Sequence, residues 1–366
     1  MGHTIQLVLE DGTTWTGEGF GATKNVTGEV VFNTAMTGYV ETLTDPSYRG
    51  QILLLTYPLA GNYGVPSPRA KTLAPPYESD RIQPQALVVQ NYVEAHSHHA
   101  ATRSLGDWLK ADQVPALTGV DTRSLTRRLR EHGTMRGWLL CEDDSDVARA
   151  NANSIDMSTD VFNLVCGSAP VVYPGSGPKI TVIDVGAKDN IIRSLLERGA
   201  SVTRVPWHQS LEPHLVECDG VVIGNGPGDP KQLGALLTQL RALLDQFRKP
   251  IFGICLGNQL LNLAAGGDTY KLPYGHRSVN QPVQDLLTRR CFITSQNHGY
   301  AVDEDSLPHE WEPWFVNLND GTNEGIRSLN RPHFSVQFHP EACPGPEDTE
   351  FLFDDFMRLV GAMRSQ

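Results

Sequence analysis

The sequence predicts an α/β protein: a mixed, β-rich N-terminal domain, then a C-terminal domain built on a doubly wound, mostly parallel sheet. Three observations predict it. Short strand candidates separated by Gly/Pro/Asn-rich turns occupy the first part of the chain. From Lys179 onward, apolar strands alternate with amphipathic helices. A length of 366 residues also exceeds what one typical core organises. The boundaries are read as 1–150 for the first domain, 151–178 for a linker and 179–366 for the second.

Each element has a local reason. Ile5, Leu7 and Leu9 alternate, Asp11-Gly12 supplies a turn, and Thr13 to Thr16 returns in strand-forming residues, which predicts a hairpin. Further strands are predicted at Val30 to Asn33, Ile52 to Thr56 and Ala86 to Val89. A helix opens at Asp121 as N-cap, carries Leu125 and Leu129 on one face and ends at Gly133. The stretch from Asp143 to Asp160 is polar with little periodicity, and Tyr173-Pro174-Gly175-Ser176-Gly177-Pro178 marks a seam. Beyond it come strand Lys179 to Val185, a helix with Ile191, Ile192, Leu195 and Leu196 closed by Gly199, and strands Ser201 to Val205 and Gly220 to Ile223. A helix with Leu233, Leu236, Leu237, Leu240, Leu243, Leu244 and Phe247 at helical spacing precedes strand Pro250 to Ile254. Ligands of such sheets bind at the carboxyl ends of the strands.

Composition excludes several classes. With 40% hydrophobic and 20% charged residues the chain is neither disordered nor fibrous. A formal net charge of -12 opposes nucleic-acid binding, which needs a positive field. No apolar run approaches the ~20 residues of a membrane span. The first 25 residues lack a secretory apolar core and an arginine-rich transit pattern, so a cytoplasmic protein is expected. The six cysteines form no Cys-x-x-Cys pair, and most are read as small buried apolar residues. His96, His98 and His99 lack a second ligand cluster and are read as a surface loop, so no metal is expected. Arg123, Arg127, Arg128 and Arg130 read as a solvated helix face, with an acidic partner surface as the other reading.

Three segments carry chemistry. Gly253-Ile254-Cys255-Leu256-Gly257 follows an apolar strand and precedes a helical pattern, the form of a nucleophile elbow with cysteine in the nucleophile's place. The glycines leave room for a sharp turn, and a helix N-terminus beside Cys255 favours a thiolate. Taken alone, the pentapeptide also fits a buried cysteine in a glycine-rich turn. Gly224-Asn225-Gly226-Pro227-Gly228-Asp229-Pro230 follows the strand ending at Ile223 and can offer backbone N–H groups to an oxyanion; it also fits a rigid connector with Asp229 as helix N-cap. A phosphate loop is excluded by the absence of Gly-x4-Gly-Lys-Ser/Thr. In Phe338-His339-Pro340-Glu341-Ala342 a proline holds His339 and Glu341 extended, so that they fit a base and its orienting carboxylate, although a lone histidine at a strand end is also a common structural residue.

Together these motifs resemble the class I, triad-type glutamine amidotransferases. The resemblance implies Cys255 as nucleophile, His339 as base and acid, Glu341 as the residue orienting it, and the N–H groups of Gly226 and Leu256 as the oxyanion hole. Ser295-Gln296-Asn297-His298-Gly299-Tyr300 is similar to the glutamine-contacting segment of the carbamoyl-phosphate synthetase glutaminase. So are Thr37-Gly38-Tyr39, Thr44-Asp45-Pro46-Ser47-Tyr48, Leu55-Thr56-Tyr57-Pro58, Gly61-Asn62-Tyr63-Gly64, Gly119-Val120-Asp121-Thr122-Arg123 and Gly186-Ala187-Lys188 to its other segments. This implies that Ser47, Gly226, Gly228, Leu256, Gln259, Asn297, Gly299 and Tyr300 bind L-glutamine. Two departures stand out: Gly275-His276-Arg277-Ser278-Val279-Asn280-Gln281-Pro282 lacks two of the family's glycines, and Asn258 replaces a common histidine. Asn280-Gln281-Pro282 and Asn323-Glu324-Gly325-Ile326 look more like the glutaminase domain of fused pyrimidine-pathway synthetases.

The resemblance implies a glutaminase working through a Cys255 thioester, whose ammonia goes to a synthetase large subunit or fused synthetase domain. No ATP-binding motif is found in this chain, so no cofactor is expected in it, and ATP, Mg2+ and bicarbonate are assigned to that partner. Two other readings stand beside it: the glutaminase of an anthranilate, GMP or CTP synthesis enzyme, which the N-terminal segments oppose, and a non-catalytic glutamine-sensing or scaffold subunit, which the presence of all three triad residues opposes.

Overall fold

The opening hairpin forms where Asp11-Gly12 predicts it. Thr4–Leu9 pairs antiparallel with Thr14–Gly21, and the turn is closed by the Gly12 N–H on Leu9 O and the Thr13 N–H on Asp11 Oδ1 at 2.8 Å. Gly12 has φ 85, a region that glycine enters without a Cβ penalty. The computed structural model describes residues 3–67, 73–141 and 144–364, and the chain divides into two units, Met1–Met157 and Ser158–Gln366.

In the N-terminal unit the hairpin joins Val26–Asn33, Gln51–Leu55, Ala86–Val88, Pro115–Thr118 and Met135–Leu140 in a closed barrel. Val31, Leu53, Leu87 and Ala116 pack in one core with Leu105, Trp108 and Leu109 of the helix Leu105–Ala111. The helix Thr122–His132 is capped as its sequence predicts: Asp121 accepts from the Ser124 N–H at 2.9 Å, and Leu125 and Leu129 are buried. Arg123, Arg127 and Arg130 are exposed, whereas Arg128 pairs with Asp11 at 2.6 Å. His98 and His99 are exposed and His96 is half-buried.

Residues 151–178, expected as a linker, carry ordered structure. The helix Asp160–Asn163 buries Val161 and Phe162, and Val171–Tyr173 pairs antiparallel with Ser201–Pro206 as an edge strand. Elements of three and four residues are too short to show a period, which is why the sequence reads as featureless there.

The C-terminal sheet has a parallel core. Ser201–Pro206, Lys179–Asp184, Gly220–Ile223, Ile251–Ile254 and His333–Val336 lie side by side in that order, all parallel. Covered on both faces, they read as continuous apolar runs such as Val221-Val222-Ile223. Because they share one direction, Val185, Gly224, Cys255 and Gln337 all follow on the same carboxyl edge. Past His333–Val336 the sheet continues antiparallel through Asn323–Ser328, Trp311–Asn317, Asp268–Asp285 and Cys291–Asp303. The sheet is thus parallel at its core and antiparallel along one flank. The two long flank strands escape sequence reading because bulges between Lys271/His276 and Ser278/Gln281 break their alternation. Among the described residues no helix is long and apolar enough to cross a membrane.

Helices Asp189–Glu197, Gly234–Gln246, Leu256–Ala265 and Phe351–Arg364 accompany the sheet. Phe252, fully buried, sits 4.7 Å from Phe334, 5.6 Å from Phe353 and 5.9 Å from Phe356, centroid to centroid. It lies three residues before Cys255, so its packing anchors the strand that carries the sulfur. Phe252→Ala is expected to cost about 3–5 kcal/mol, the usual range for a buried phenylalanine, read as a lower urea midpoint at unchanged denaturant slope.

Candidate active site

The strand Ile251–Ile254 delivers Cys255 directly to the first turn of the helix Leu256–Ala265. Cys255 holds φ 54 and ψ -103, and it is 1% exposed. A Cβ on Gly257 would stand 2.1 Å from Ile223 O, and one on Gly253 would stand 2.7 Å from Gly257 O. Neither position admits a side chain. Leu256 is the first helical residue, so its N–H has no acceptor within the helix. Gly226 adjoins it: a Cβ there would meet Val185 O at 2.1 Å and Leu256 Cδ2 at 3.0 Å. The two residues expected to form an oxyanion hole are therefore neighbours.

His339 arrives from the adjacent parallel strand, three residues past Val336. Its Nδ1 bonds Glu341 Oε1 at 2.6 Å, with both side chains buried. This leaves Nε2 for the sulfur; no hydrogen bond of ordinary geometry ends on it, yet the charge of Cys255 acts on the ring. Burial alone would depress the basicity of His339. The charges of Glu341 and Cys255 outweigh it and hold the imidazole up at about 10. Burial would likewise raise Glu341, but Lys188 and His339 hold it down to about 2. At neutral pH the pair is an imidazolium on a carboxylate.

The remaining expected site residues distribute unevenly. Cys255 Sγ lies 3.7 Å from the carbonyl oxygen of Asn297. Gln259 Nε2 donates to Tyr300 O at 2.8 Å and to Gln337 Oε1 at 3.1 Å. Gly299 faces Arg277: a Cβ would meet Nη2 at 3.2 Å. Gly228, at φ +79, rests against Phe162 of the stretch expected as a linker, which a Cβ would meet at 3.1 Å. Ser47 belongs to the N-terminal unit, buried in the turn Pro46–Tyr48, with its N–H on Asp45 Oδ1 at 2.9 Å.

Several residues at the site have no role assigned from the sequence. Lys188 Nζ stands 3.2 Å from Glu341 Oε1 and also donates to Ala342 O. Its own N–H donates to Asn225 Oδ1 at 2.9 Å, beside the Gly226 loop. Lys188 is placed by Asp184, whose Oδ1 accepts the Gly186 and Ala187 N–H groups at 3.0 and 2.8 Å while Oδ2 pairs with Arg204 at 2.7 Å. Gln337 donates through Nε2 to Cys255 Sγ at 3.7 Å and accepts from Asn258 Nδ2 at 3.2 Å. Gln337 lies between the end of the strand His333–Val336 and His339.

The chain resembles known proteins along most of its length. Residues 181–359 match the family model of glutamine amidotransferase class-I, and residues 7–139 match that of the carbamoyl-phosphate synthase small chain, CPSase domain. The chain is 49% identical over 360 residues to the carbamoyl phosphate synthase small chain of Symbiobacterium thermophilum, covering 96% of this chain and 97% of the relative. It is 47% identical over 358 residues to the carbamoyl phosphate synthase arginine-specific small chain of Aspergillus clavatus, covering 97% and 79%. With the multifunctional protein pyrABCN of Emericella nidulans it shares 46% identity over 393 residues, which is 98% of this chain and 17% of that one. The chain spans 17% and 21% of the length of two such multifunctional relatives.

The charges of the buried pair set a pH signature. His339 lies above its ordinary 6.5, so its contribution to stability is complete below about pH 6.5 and is lost as pH rises through about 10. Glu341 lies below its ordinary 4.5, so its contribution is complete above about pH 4.5 and is lost as pH falls toward 2. In urea unfolding across pH, the stability lost by Glu341→Gln should be largest between about 4.5 and 6.5 and shrink on both sides.

Proposed function

Because the chain belongs to the carbamoyl-phosphate synthase small-chain family, we propose that it hydrolyses L-glutamine to glutamate through a thioester on Cys255. The ammonia then passes to an ATP-dependent synthetase chain or fused domain that makes carbamoyl phosphate. The observation carrying this reading is a cysteine forced to positive φ at the carboxyl edge of the sheet, beside a histidine bonded to a buried glutamate at 2.6 Å.

The steps balance on residues of this chain. The Cys255 thiolate attacks the side-chain carbonyl carbon of glutamine, and the oxygen takes the negative charge. The N–H groups of Leu256 and Gly226 receive that charge; losing one such donor costs about 2.7–4 kcal/mol of transition-state stabilisation. His339, protonated at neutral pH, gives its proton to the departing nitrogen as the C–N bond breaks. The neutral imidazole then takes a proton from water, which attacks the thioester and releases glutamate with the thiolate restored. Glu341, held anionic by Lys188, keeps the ring oriented and stabilises its charged form in both halves. Ammonia entering bulk water at pH 7 would become ammonium and lose its nucleophilicity, so the proposal includes a shielded route to the synthetase. ATP, Mg2+ and bicarbonate act there and not in this chain.

Purified chain, alone and with a synthetase partner, is assayed for glutamate release, and the glutamyl adduct is trapped by acid quench and mass spectrometry. Cys255→Ser is expected to lower the rate at least about a thousandfold, as nucleophile removal does in other hydrolases, and to abolish the adduct. A Cys255→Ser chain with undiminished turnover would falsify the mechanism. Glutamine bound by wild type but never hydrolysed would instead assign a sensing role.

A further inference from the structure

The antiparallel flank buries a second cluster of chemically capable side chains. His276 from Asp268–Asp285, His298 from Cys291–Asp303 and Glu324 from Asn323–Ser328 each place one ligand atom within 4.8 Å of the other two. All three residues are buried, and Glu324 is fully so. They come from positions 48 residues apart at the extremes (324 minus 276), so no spacing motif announces them.

The hydrogen bonds around the cluster fix which atoms point inward. His298 Nδ1 donates to Tyr300 O at 2.8 Å, which leaves Nε2 as its other ring nitrogen. His276 Nε2 donates to Asp320 Oδ2 at 2.9 Å, leaving Nδ1 directed at Glu324 Oε1, 3.4 Å away. Asn317 Nδ2 donates to that same Oε1 at 2.9 Å, while Glu324 Oε2 is buried without a hydrogen bond. The side-chain amide of Gln296 hydrogen-bonds His298 Nε2 at 3.2 Å.

We propose that His276, His298 and Glu324 form a binding site for a zinc-type divalent metal ion, which fixes the strand bearing Asn297 and Tyr300. Two imidazoles and a carboxylate are a donor set that zinc accepts, with a fourth position left open. Tetrahedral bonds of about 2.0–2.2 Å separate ligand atoms by about 3.4 Å, the spacing found between His276 and Glu324. A carboxylate on the outer nitrogen of one ligand histidine and a carbonyl on the other are the arrangement by which metal-site histidines are held. A proton shared between His276 and the two carboxylates would satisfy Asp320 and Glu324 Oε1. It would leave Glu324 Oε2 buried without a partner of ordinary geometry, and an ion answers it. The inference does not depend on the glutaminase reading.

The test uses the full chain carrying Cys255→Ser, so that the reactive thiol cannot hold the ion. After chelator treatment and dialysis it is titrated with zinc alone; bound metal is counted by mass spectrometry and affinity is measured against a chromophoric chelator. One zinc per chain is expected, with cobalt giving the visible bands of a tetrahedral site. Glu324→Gln keeps the shape and the Asn317 contact and should weaken zinc at least tenfold. If it fails to fold, Asp320→Asn at the outer nitrogen should weaken zinc about 10–100-fold, with metal-free unfolding little changed. No stoichiometric zinc at micromolar concentration, or undiminished affinity in the folded variants, overturns the proposal.

Discussion

A side chain at φ 54 lies where residues with a Cβ seldom rest, at a cost of about 1–3 kcal/mol, and everything around Cys255 serves to make that conformation the only one open to it. The strand before it is held on both sides by parallel ladders, to Gly220–Ile223 and to His333–Val336. The Cys255 N–H itself donates to Val336 O at 2.8 Å, one rung beyond the last strand residue. The helix begins at the next residue, and Gly257 lies against Ile223 O with no room for even a methyl group. With its backbone fixed at both ends, the sulfur has no relaxed alternative. His339 follows the strand next door, so Cys255 and His339 start from strand ends about 4.8 Å apart, the spacing of neighbouring strands.

Fixing the base requires burying charge, and the fold compensates by alternation. Arg204 is held by Asp184 and Asp189; Asp184 shapes the Gly186-Ala187 turn; the turn brings Lys188 onto Glu341; Glu341 holds His339. Each positive group has a negative neighbour at 3.3 Å or less. An isolated carboxylate at the depth of Glu341 would lose several kcal/mol of hydration, and it would regain its proton before it could support an imidazolium. The lysine and the arginine behind it therefore belong to the chemistry even though neither touches the sulfur.

What the sequence revealed follows from what is local in it. The hairpin at Asp11-Gly12, the Asp121 cap, the parallel strands and the elbow each rest on fewer than about fifteen adjacent residues, whose pattern states the conformation. Cys255 and His339 were joined through recognition of motif order, since nothing local links residues 84 positions apart (339 minus 255). Lys188 stands in the Gly186-Ala187-Lys188 segment of the resemblance, but its contact with Glu341 stayed hidden because that partner is 153 positions away (341 minus 188). Gln337 follows the strand His333–Val336, and nothing local says that a sulfur waits there. The His276, His298 and Glu324 cluster is legible only once the flank strands are in register, and their bulges erase the period that would set it. The helix and edge strand within 151–178 are too short to carry any signal at all.

The antiparallel flank has a role that its weak sequence signal conceals. His339 is not held by the parallel core alone: its N–H donates to Ser295 O at 2.9 Å, an isolated bridge that joins it to the strand Cys291–Asp303. Two residues along that same strand, the Asn297 carbonyl meets Cys255 Sγ. One strand thus contacts His339 through its backbone and Cys255 through its next carbonyl but one, and Tyr300 of the same strand accepts from Gln259 of the elbow helix. The junction of parallel core and antiparallel flank at His333–Val336 is therefore where these groups meet: the core brings Cys255 and His339 onto neighbouring strand ends, and the flank adds the carbonyls of Ser295 and Asn297.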